Sequence, residues 1–370
     1  MRRHRQASVD RPVLVYCSRG VSPGIEVVHR KNAQRLGRGE RMPEDGRGRA
    51  ARTPAHIPLV GWKDVLMRVF HAFSDNNLSI IAAGVSFYGL LAIFPGVAAF
   101  VAIYGLFQDP ATVVTEMNSL DGLVPPDVIN TITGQMTQIA ARPSGSLGVT
   151  ALVTLALALW SARKGTTALM VALNVVYAEK ETRHFVITTL VSLALTIAII
   201  VGLIAVALLA AGVPLIVAGL GFGTGLVAVA RGVGLGIGAL FLMLGIAGLY
   251  RYAPSRTRPK WRWVIVGAAI VTVFWVLGSL AFSLYVAFSN SYSATYGSLG
   301  AVVVVLTWLY ITILIMLVGG EINAQMEFQT AADTTVSGNK PMGERGAFVA
   351  DNVAKRADDI DFDAEPPDPT

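Results

Sequence analysis

Apolar residues gather in six runs separated by polar breaks: 78–107, 147–160, 185–213, 229–250, 263–288 and 299–320. About 20 apolar residues in a helix cross the hydrocarbon layer of a bilayer, and five of the runs reach that length. The second, Leu147 to Trp160, spans roughly 21 Å as a helix. It is followed by Ser161-Ala162-Arg163-Lys164-Gly165 and then a further apolar stretch, Ala168 to Tyr177. The pattern predicts an all-α chain whose second helix is broken. Upstream, Trp62, Val65, Leu66, Val69, Phe70 and Phe73 recur at helical spacing opposite Lys63, Asp64 and Arg68. That spacing predicts an amphipathic helix over 57–73 lying on a membrane surface. A second amphipathic helix is predicted over 127–141.

Charge turns the pattern into a topology. Only 15% of the 370 residues are charged and 53% are hydrophobic, whereas soluble domains carry roughly 25% charged residues. Half of the 30 Lys and Arg lie in residues 1–77. The loops 108–146, 214–228 and 289–298 hold Arg142 and no other base, while 161–184 and 251–262 are rich in bases. That alternation fits six transmembrane helices with both termini in the cytoplasm. Trp62, Trp160, Trp261 and Trp263 fall at the expected cytoplasmic boundaries, as an interfacial belt requires. The net charge of +6 then answers to anionic lipid, and no nucleic-acid partner is expected. Residues 1–55 read as a disordered basic tail, 56–326 as the six-helix domain and 327–370 as a disordered acidic tail. No signal peptide is visible, and Met42 offers an alternative start that would make residues 1–41 an extension. Cys17 stands alone in the chain, which excludes an intramolecular disulfide or a Cys-based cluster. No internal repeat stands out between residues 78–213 and 229–326, so the sequence neither supports nor excludes an inverted repeat.

Specific strings now become recognisable. The run Ala82-Ala83-Gly84-Val85-Ser86-Phe87-Tyr88-Gly89-Leu90-Leu91-Ala92-Ile93-Phe94-Pro95 resembles the first-helix signature of the YihY/BrkB family of bacterial inner-membrane proteins. Trp160-Ser161-Ala162, Ala172-Leu173-Asn174, Tyr250-Arg251-Tyr252-Ala253-Pro254, Tyr296-Gly297-Ser298-Leu299-Gly300-Ala301 and Gly320-Glu321-Ile322-Asn323-Ala324 resemble its later blocks, in order, over about residues 60–326. The resemblance implies a six-helix bundle in the inner membrane with cytoplasmic termini. Its members have carried the labels ribonuclease BN, virulence factor and transporter, so it implies little about activity.

The residues bear on those labels. A hydrolytic metal site needs clustered His and carboxylates, and the five histidines, His4, His29, His56, His71 and His184, are scattered outside the runs. No P-loop and no nucleophile elbow with a His partner occurs. The expectation is therefore no catalytic residue, no metal, no cofactor and no ATPase. Arg163 and Lys164 are the most informative charges: they frame either a broken-helix binding site or an ordinary helix end among lipid headgroups. Glu321, at the end of the sixth run, is a functional candidate because intramembrane acids are costly, or else the ion-pair partner of Arg163 or Arg251. Asn174 and Asn323 read as headgroup contacts or as hydrogen-bonded cross-links between helix ends. Arg231 opens the fourth run near its outer end. Pro95 removes a helix hydrogen bond and marks a kink, with Tyr88 a candidate gate beside it. Gly232, Gly234, Gly236 and Gly238 supply two GxxxG faces for close helix packing.

The leading expectation is transport or handling of an amphipathic or anionic envelope component in the bacterial inner membrane. A non-transporting membrane scaffold is the alternative, and an RNA-processing enzyme the third. Membrane lipids and a second copy of the chain are the expected partners.

Overall fold

The computed structural model describes residues 46–104, 149–219, 224–288 and 300–354. They form a 3-10 turn over Pro54–His56 and eight helices: α1 Leu59–Asp75, α2 Leu78–Tyr104, α3 Val149–Val176, α4 Phe185–Gly219, α5 Thr224–Tyr252, α6 Trp261–Phe288, α7 Gly300–Gln329 and the short α8 Phe348–Asp351. The only pairing of strand type among the described residues is the isolated bridge Pro259–Thr335. The amphipathic segment 127–141 expected from sequence lies outside the described residues.

Four helices, α4 to α7, are long and apolar enough to cross a membrane; the bent pair α1–α2 makes five if taken as one broken span. Their outward faces carry Phe185, Leu190, Val201, Val233, Val273 and Phe274, all more than half or about half exposed. Water would penalise such a belt, and hydrocarbon would not. The largest core cluster joins α2, α3, α5, α6 and α7 through Leu78, Met170, Leu173, Tyr250, Val264 and Leu317.

One end of the bundle gathers chain segments that are far apart in sequence. The stretch before α1, the α3–α4 and α5–α6 connections, and the segment after α7 all meet there. Ala331 N donates to Arg49 O at 2.8 Å, Thr257 N to Gly346 O at 2.8 Å and Lys260 N to Thr334 O at 2.8 Å. Phe348 N donates to Glu179 Oε1 at 2.7 Å. This end carries the bases of the expected cytoplasmic loops, and it is called the basic end below.

Three expectations are corrected. The second helix is not broken: α3 runs without interruption through Ser161-Ala162-Arg163-Lys164-Gly165. Gly165 sits where a side chain would crowd α2, since a Cβ there would lie 3.2 Å from Ala92 Cβ and 3.5 Å from Tyr88 O. The glycine admits a neighbouring helix instead of ending its own. Trp160 accordingly lies inside α3, not at a boundary.

The acidic tail is not free from residue 327. α7 continues to Gln329, and residues 330–354 fold back over the basic end, burying Met342, Val349, Ala350 and Val353. Arg345 fastens this segment by donating to the carbonyls of Ala331, Ala332, Lys340 and Ala350. Short apolar stretches such as Phe348-Val349-Ala350, set among polar residues and glycines, concealed that packing. Likewise residues 46–55 belong to the folded end, not to a loose basic tail: Arg47 pairs with Asp64 at 2.9 Å.

The two faces of the amphipathic helix are mixed. In α1 the charged Asp64 and Arg68 are buried against the bundle together with Val65 and Val69, while Leu59, Leu66 and Phe70 are exposed at 88%, 55% and 75%. Buried charges persist only when paired or hydrogen-bonded, and here both are. Leu66 and Phe70 are left facing outward, as the expectation of a membrane-facing stripe requires. α1 meets α2 at a 64° bend, where Asn77 takes up φ 50. Pro95 lies inside α2, whose helix continues to Tyr104.

Candidate functional site

The last turns of α7 are enclosed on every side, from Glu321 to Gln329, although half of these residues are polar. Their spacing explains it. Glu321, Gln325 and Gln329 are four apart and form one stripe toward α1. Arg68 Nε donates to Gln325 Oε1 at 2.9 Å and its Nη2 to Gln329 Oε1 at 2.6 Å. Gln325 Nε2 in turn donates to Glu321 Oε1 at 2.9 Å.

Asn323 and Glu327 form a second stripe. Asn323 Oδ1 accepts from Gly267 N at 2.9 Å and its Nδ2 donates to Val264 O at 3.3 Å, stitching α7 to α6. Glu327 Oε2 accepts from Arg256 Nη2 at 2.7 Å and from Thr334 Oγ1 at 2.6 Å. Both side chains of the Arg256–Glu327 pair are fully enclosed. Arg256 also stacks on Tyr177, 4.9 Å from its ring centre. Burial opposes the Arg256 charge, but Glu327 holds its pKa above the ordinary value.

Glu321 thus takes an amide partner, not the base expected for it. Arg251 is occupied by Pro259 O and by the Trp261 ring, and Arg163 lies in another layer. The second carboxylate oxygen of Glu321 is buried and without a hydrogen-bond partner, as is Oδ1 of Asn76 at the α1–α2 corner. Asn174 joins a further cluster: its Oδ1 accepts from Ser255 N at 2.7 Å and its Nδ2 donates to Glu181 Oε2 at 3.2 Å. Glu181 is clamped by Arg183, whose hydrogen bonds hold the carboxyl down at about 2. Glu179, under α8, is pushed up to about 7 by burial.

Arg163 and Lys164 stand apart from all of this. They lie 13 and 12 residues before the end of α3 at Val176, so about 20 Å from the basic end. Thr166, one turn nearer, accepts a hydrogen bond from Thr196 at 2.8 Å, and Thr196 lies midway along the apolar span Phe185–Val206. The two bases are therefore level with the middle of that apolar segment of α4. Arg163 is half-buried with its guanidinium carbon 4.1 Å from the centre of the Trp160 ring, and its Nε has no partner. Lys164 is exposed, on the same helical face as Leu157 and Val171, themselves 63% and 58% exposed. Tyr88, at the neighbouring part of α2, is 47% exposed.

The sequence-derived candidates consequently divide into separate places and do not line one cavity. Glu321, Asn174 and Asn323 belong to the polar layer of the basic end; Arg163 and Lys164 sit mid-depth. Of the glycines, Gly238 meets Val206 of α4 at 3.6 Å from its Cβ position, and Gly234 is buried, while Gly232 and Gly236 face open space. The tightest helix crossing lies elsewhere, where a Cβ on Gly267 would strike Gly319 O and Asn323 Oδ1. Arg68, Arg256, Gln325, Glu327 and Gln329 were not singled out from sequence. The four-residue spacing from Glu321 and from Asn323 was the available signal, hidden because the apolar run itself stops at Gly320. Among the described residues, no three His, Cys, Asp or Glu side chains gather as a metal site requires.

Comparison with known proteins agrees with this architecture. A Bacillus subtilis (strain 168) protein provisionally named ribonuclease-like, YfkH, is 29% identical over 267 residues, covering 70% of this chain and 94% of the relative. A UPF0761 membrane protein of Delftia acidovorans is 27% identical over 291 residues, 75% of this chain and 66% of its own length. Another, from Methylibium petroleiphilum, is 26% identical over 277 residues, 71% and 62% respectively. The chain thus spans about two thirds of the UPF0761 relatives. No solved structure matches it. The family described as Virulence factor BrkB matches residues 69–342, from the Val69 face of α1 to the segment folded over the basic end, and the chain belongs to that family.

Proposed function

We propose that this chain is a non-enzymatic multi-pass protein of the bacterial inner membrane that moves an amphipathic, anionic envelope component between leaflets, without an ATPase of its own. The observation that carries the reading is the placement of Arg163 and Lys164. Two adjacent bases at mid-depth are costly in hydrocarbon and mark a polar path. The four-carbon stem of Lys164 is too short to bring its ammonium to either headgroup layer from there. Its exposure between Leu157 and Val171 opens the bases sideways. A lipid could keep its chains on that apolar face while its anionic headgroup passes the two cations, whereas a small solute would need an enclosed channel.

In this reading the bundle has six crossings, with α3 as one of them, and the basic end is cytoplasmic. The convergence of four chain segments on one base-rich end supports an even number of crossings between them. Reporter fusions after Asp121 and after Pro254 should report opposite compartments. The scaffold alternative loses its motive for residues 330–354, because the segment meant to recruit partners is packed against its own bundle. The ribonuclease-like name of one relative finds no support in the clustering of acids and histidines among the described residues.

The test is lipid movement in vesicles. Vesicles holding the purified chain and a fluorescent phosphatidylglycerol should exchange it between leaflets, and Arg163→Gln with Lys164→Gln should slow exchange by about tenfold or more, the scale of one lost charged contact. Exchange no faster than in empty vesicles overturns the proposal.

A further inference from the structure

A second group of bases lies at the basic end, far from Arg163. A pocket of about 490 Å³ opens there, lined by Arg52, Lys260, Arg262, Asp333, Lys340 and Arg345 among others. That volume suits a headgroup-sized ligand. Three chain segments that the sequence keeps apart build it: the stretch before α1, the first turn of α6, and the segment folded back after α7.

Its charges are not balanced from within. Five of the named side chains are basic and one is acidic. The Asp333 carboxylate is already committed to its own turn, accepting from Thr335 N at 2.8 Å, Thr335 Oγ1 at 2.7 Å and Lys340 N at 3.0 Å. Asp351, the next acid, is likewise taken up by the backbone N–H groups of Gly343, Arg345 and Gly346. Arg345 gives its donors to four carbonyls and forms the wall. Burial holds its pKa below the ordinary arginine value, a shift that Asp333 and Asp351 only partly offset.

The remaining bases are available to a ligand. Arg52, Arg262 and Lys340 are exposed. Lys260 Nζ donates to Asp333 O at 2.6 Å, which leaves two of its three N–H groups. Four convergent cations exceed what one carboxylate can use, whereas a phosphate offers several strong acceptor oxygens and close to two charges. Position adds a second constraint. Arg262 is the second residue of α6, whose apolar span begins at Trp261, and Trp261 is 42% exposed. The mouth therefore lies at the level where a membrane places its phosphates.

We propose that this pocket binds a phosphate group, carried by an anionic lipid headgroup or by a soluble phosphate ester, through Arg52, Lys260, Arg262 and Lys340. The proposal does not depend on movement of lipid at Arg163 and Lys164, and it is tested without any transport measurement.

The full chain is placed in nanodiscs of phosphatidylcholine, with or without phosphatidylglycerol. Retained phosphatidylglycerol is read by native mass spectrometry, and glycerol 3-phosphate binding is read by calorimetry in the phosphatidylcholine discs. The wild type should take up at least one of the two ligands. The triple variant Arg52→Gln, Arg262→Gln, Lys340→Gln should weaken that binding by about tenfold or more. The control Lys63→Gln with Lys180→Gln, exposed bases outside the pocket, should change it by less than about twofold. Retention of the lipid alone assigns the pocket to a headgroup, and binding of glycerol 3-phosphate assigns it to a soluble ester. Should the triple variant melt below the wild type, the single Arg262→Gln in folded protein reads the same loss on a smaller scale. Wild type that binds neither ligand, or pocket variants that bind as wild type does, overturn the proposal.

Discussion

Arg256 Nη2 lies 2.7 Å from Glu327 Oε2 with both side chains wholly enclosed, joining the α5–α6 connection to the end of α7. Removing one partner leaves a buried, uncompensated charge, which costs about 3–5 kcal/mol. Arg256→Ala and Glu327→Ala should each lower the melting temperature in detergent sharply. The double replacement Arg256→Met with Glu327→Leu should recover most of that loss, because two well-packed apolar side chains remove the desolvation penalty together. Equal loss in single and double variants would show that the site depends on shape, not on charge.

The glycine contacts give a graded series. A side chain on Gly267 or Gly319 strikes neighbouring backbone or the Tyr250 hydroxyl region, whereas Gly232 and Gly236 face open space. Gly267→Ala and Gly319→Ala should cost about 1–3 kcal/mol from overpacking. Gly232→Ala and Gly236→Ala should be neutral or slightly stabilising in a helix. Unfolding in a detergent series measures all four.

The docked α8 segment should respond to pH in a defined window. Glu179 accepts from Phe348 N, and its other neighbours are Arg256, Glu327 and Asp351. Its pKa rises from 4.5 to about 7 on burial, so the docked state binds the extra proton. Docking is then fully supported below 4.5 and weakens as pH rises through about 7. Glu181 has the opposite sign: held at about 2 by Arg183, it supports the neighbouring loop above 4.5 and loses that support as pH falls toward 2. Hydrogen-exchange protection over residues 346–354, the observed rate relative to the intrinsic rate at the same pH, should be greatest near pH 5 and smaller at pH 8. Glu179→Gln should remove the difference between those two values.

The apolar runs told most of the fold, because a helix that crosses hydrocarbon must write its length in consecutive apolar residues. Their ends were less legible. The sixth apolar run stops at Gly320, yet α7 continues through Glu321, Gln325 and Gln329, because Gln325 and Gln329 meet the buried Arg68 and Gln325 in turn meets Glu321. Sequence order does not disclose such partners: Arg68 lies 257 residues from Gln325. The same reason hid the burial of Asp64 and Arg68 in α1. Arg163 and Lys164 stood out in the sequence, either as a broken-helix site or as a helix end among headgroups, since two bases in a row ordinarily end a span. The Gly165 contact with α2 and the Thr166–Thr196 hydrogen bond instead place them inside an unbroken α3.

The mid-depth position of these two bases, together with access to a polar medium, is the claim on which the proposed lipid path rests. It can be measured by spin labels on single cysteines at Leu157→Cys, Lys164→Cys and Val171→Cys in a Cys17→Ser background, reconstituted in bilayers. Relaxation by oxygen reports hydrocarbon, and relaxation by a water-soluble nickel chelate reports polar surroundings. The account predicts that the label at position 164 meets the nickel chelate more than those at 157 and 171, although it sits between two lipid-facing neighbours on one helix face. A label at 164 that responds to oxygen alone, as its neighbours do, would contradict it.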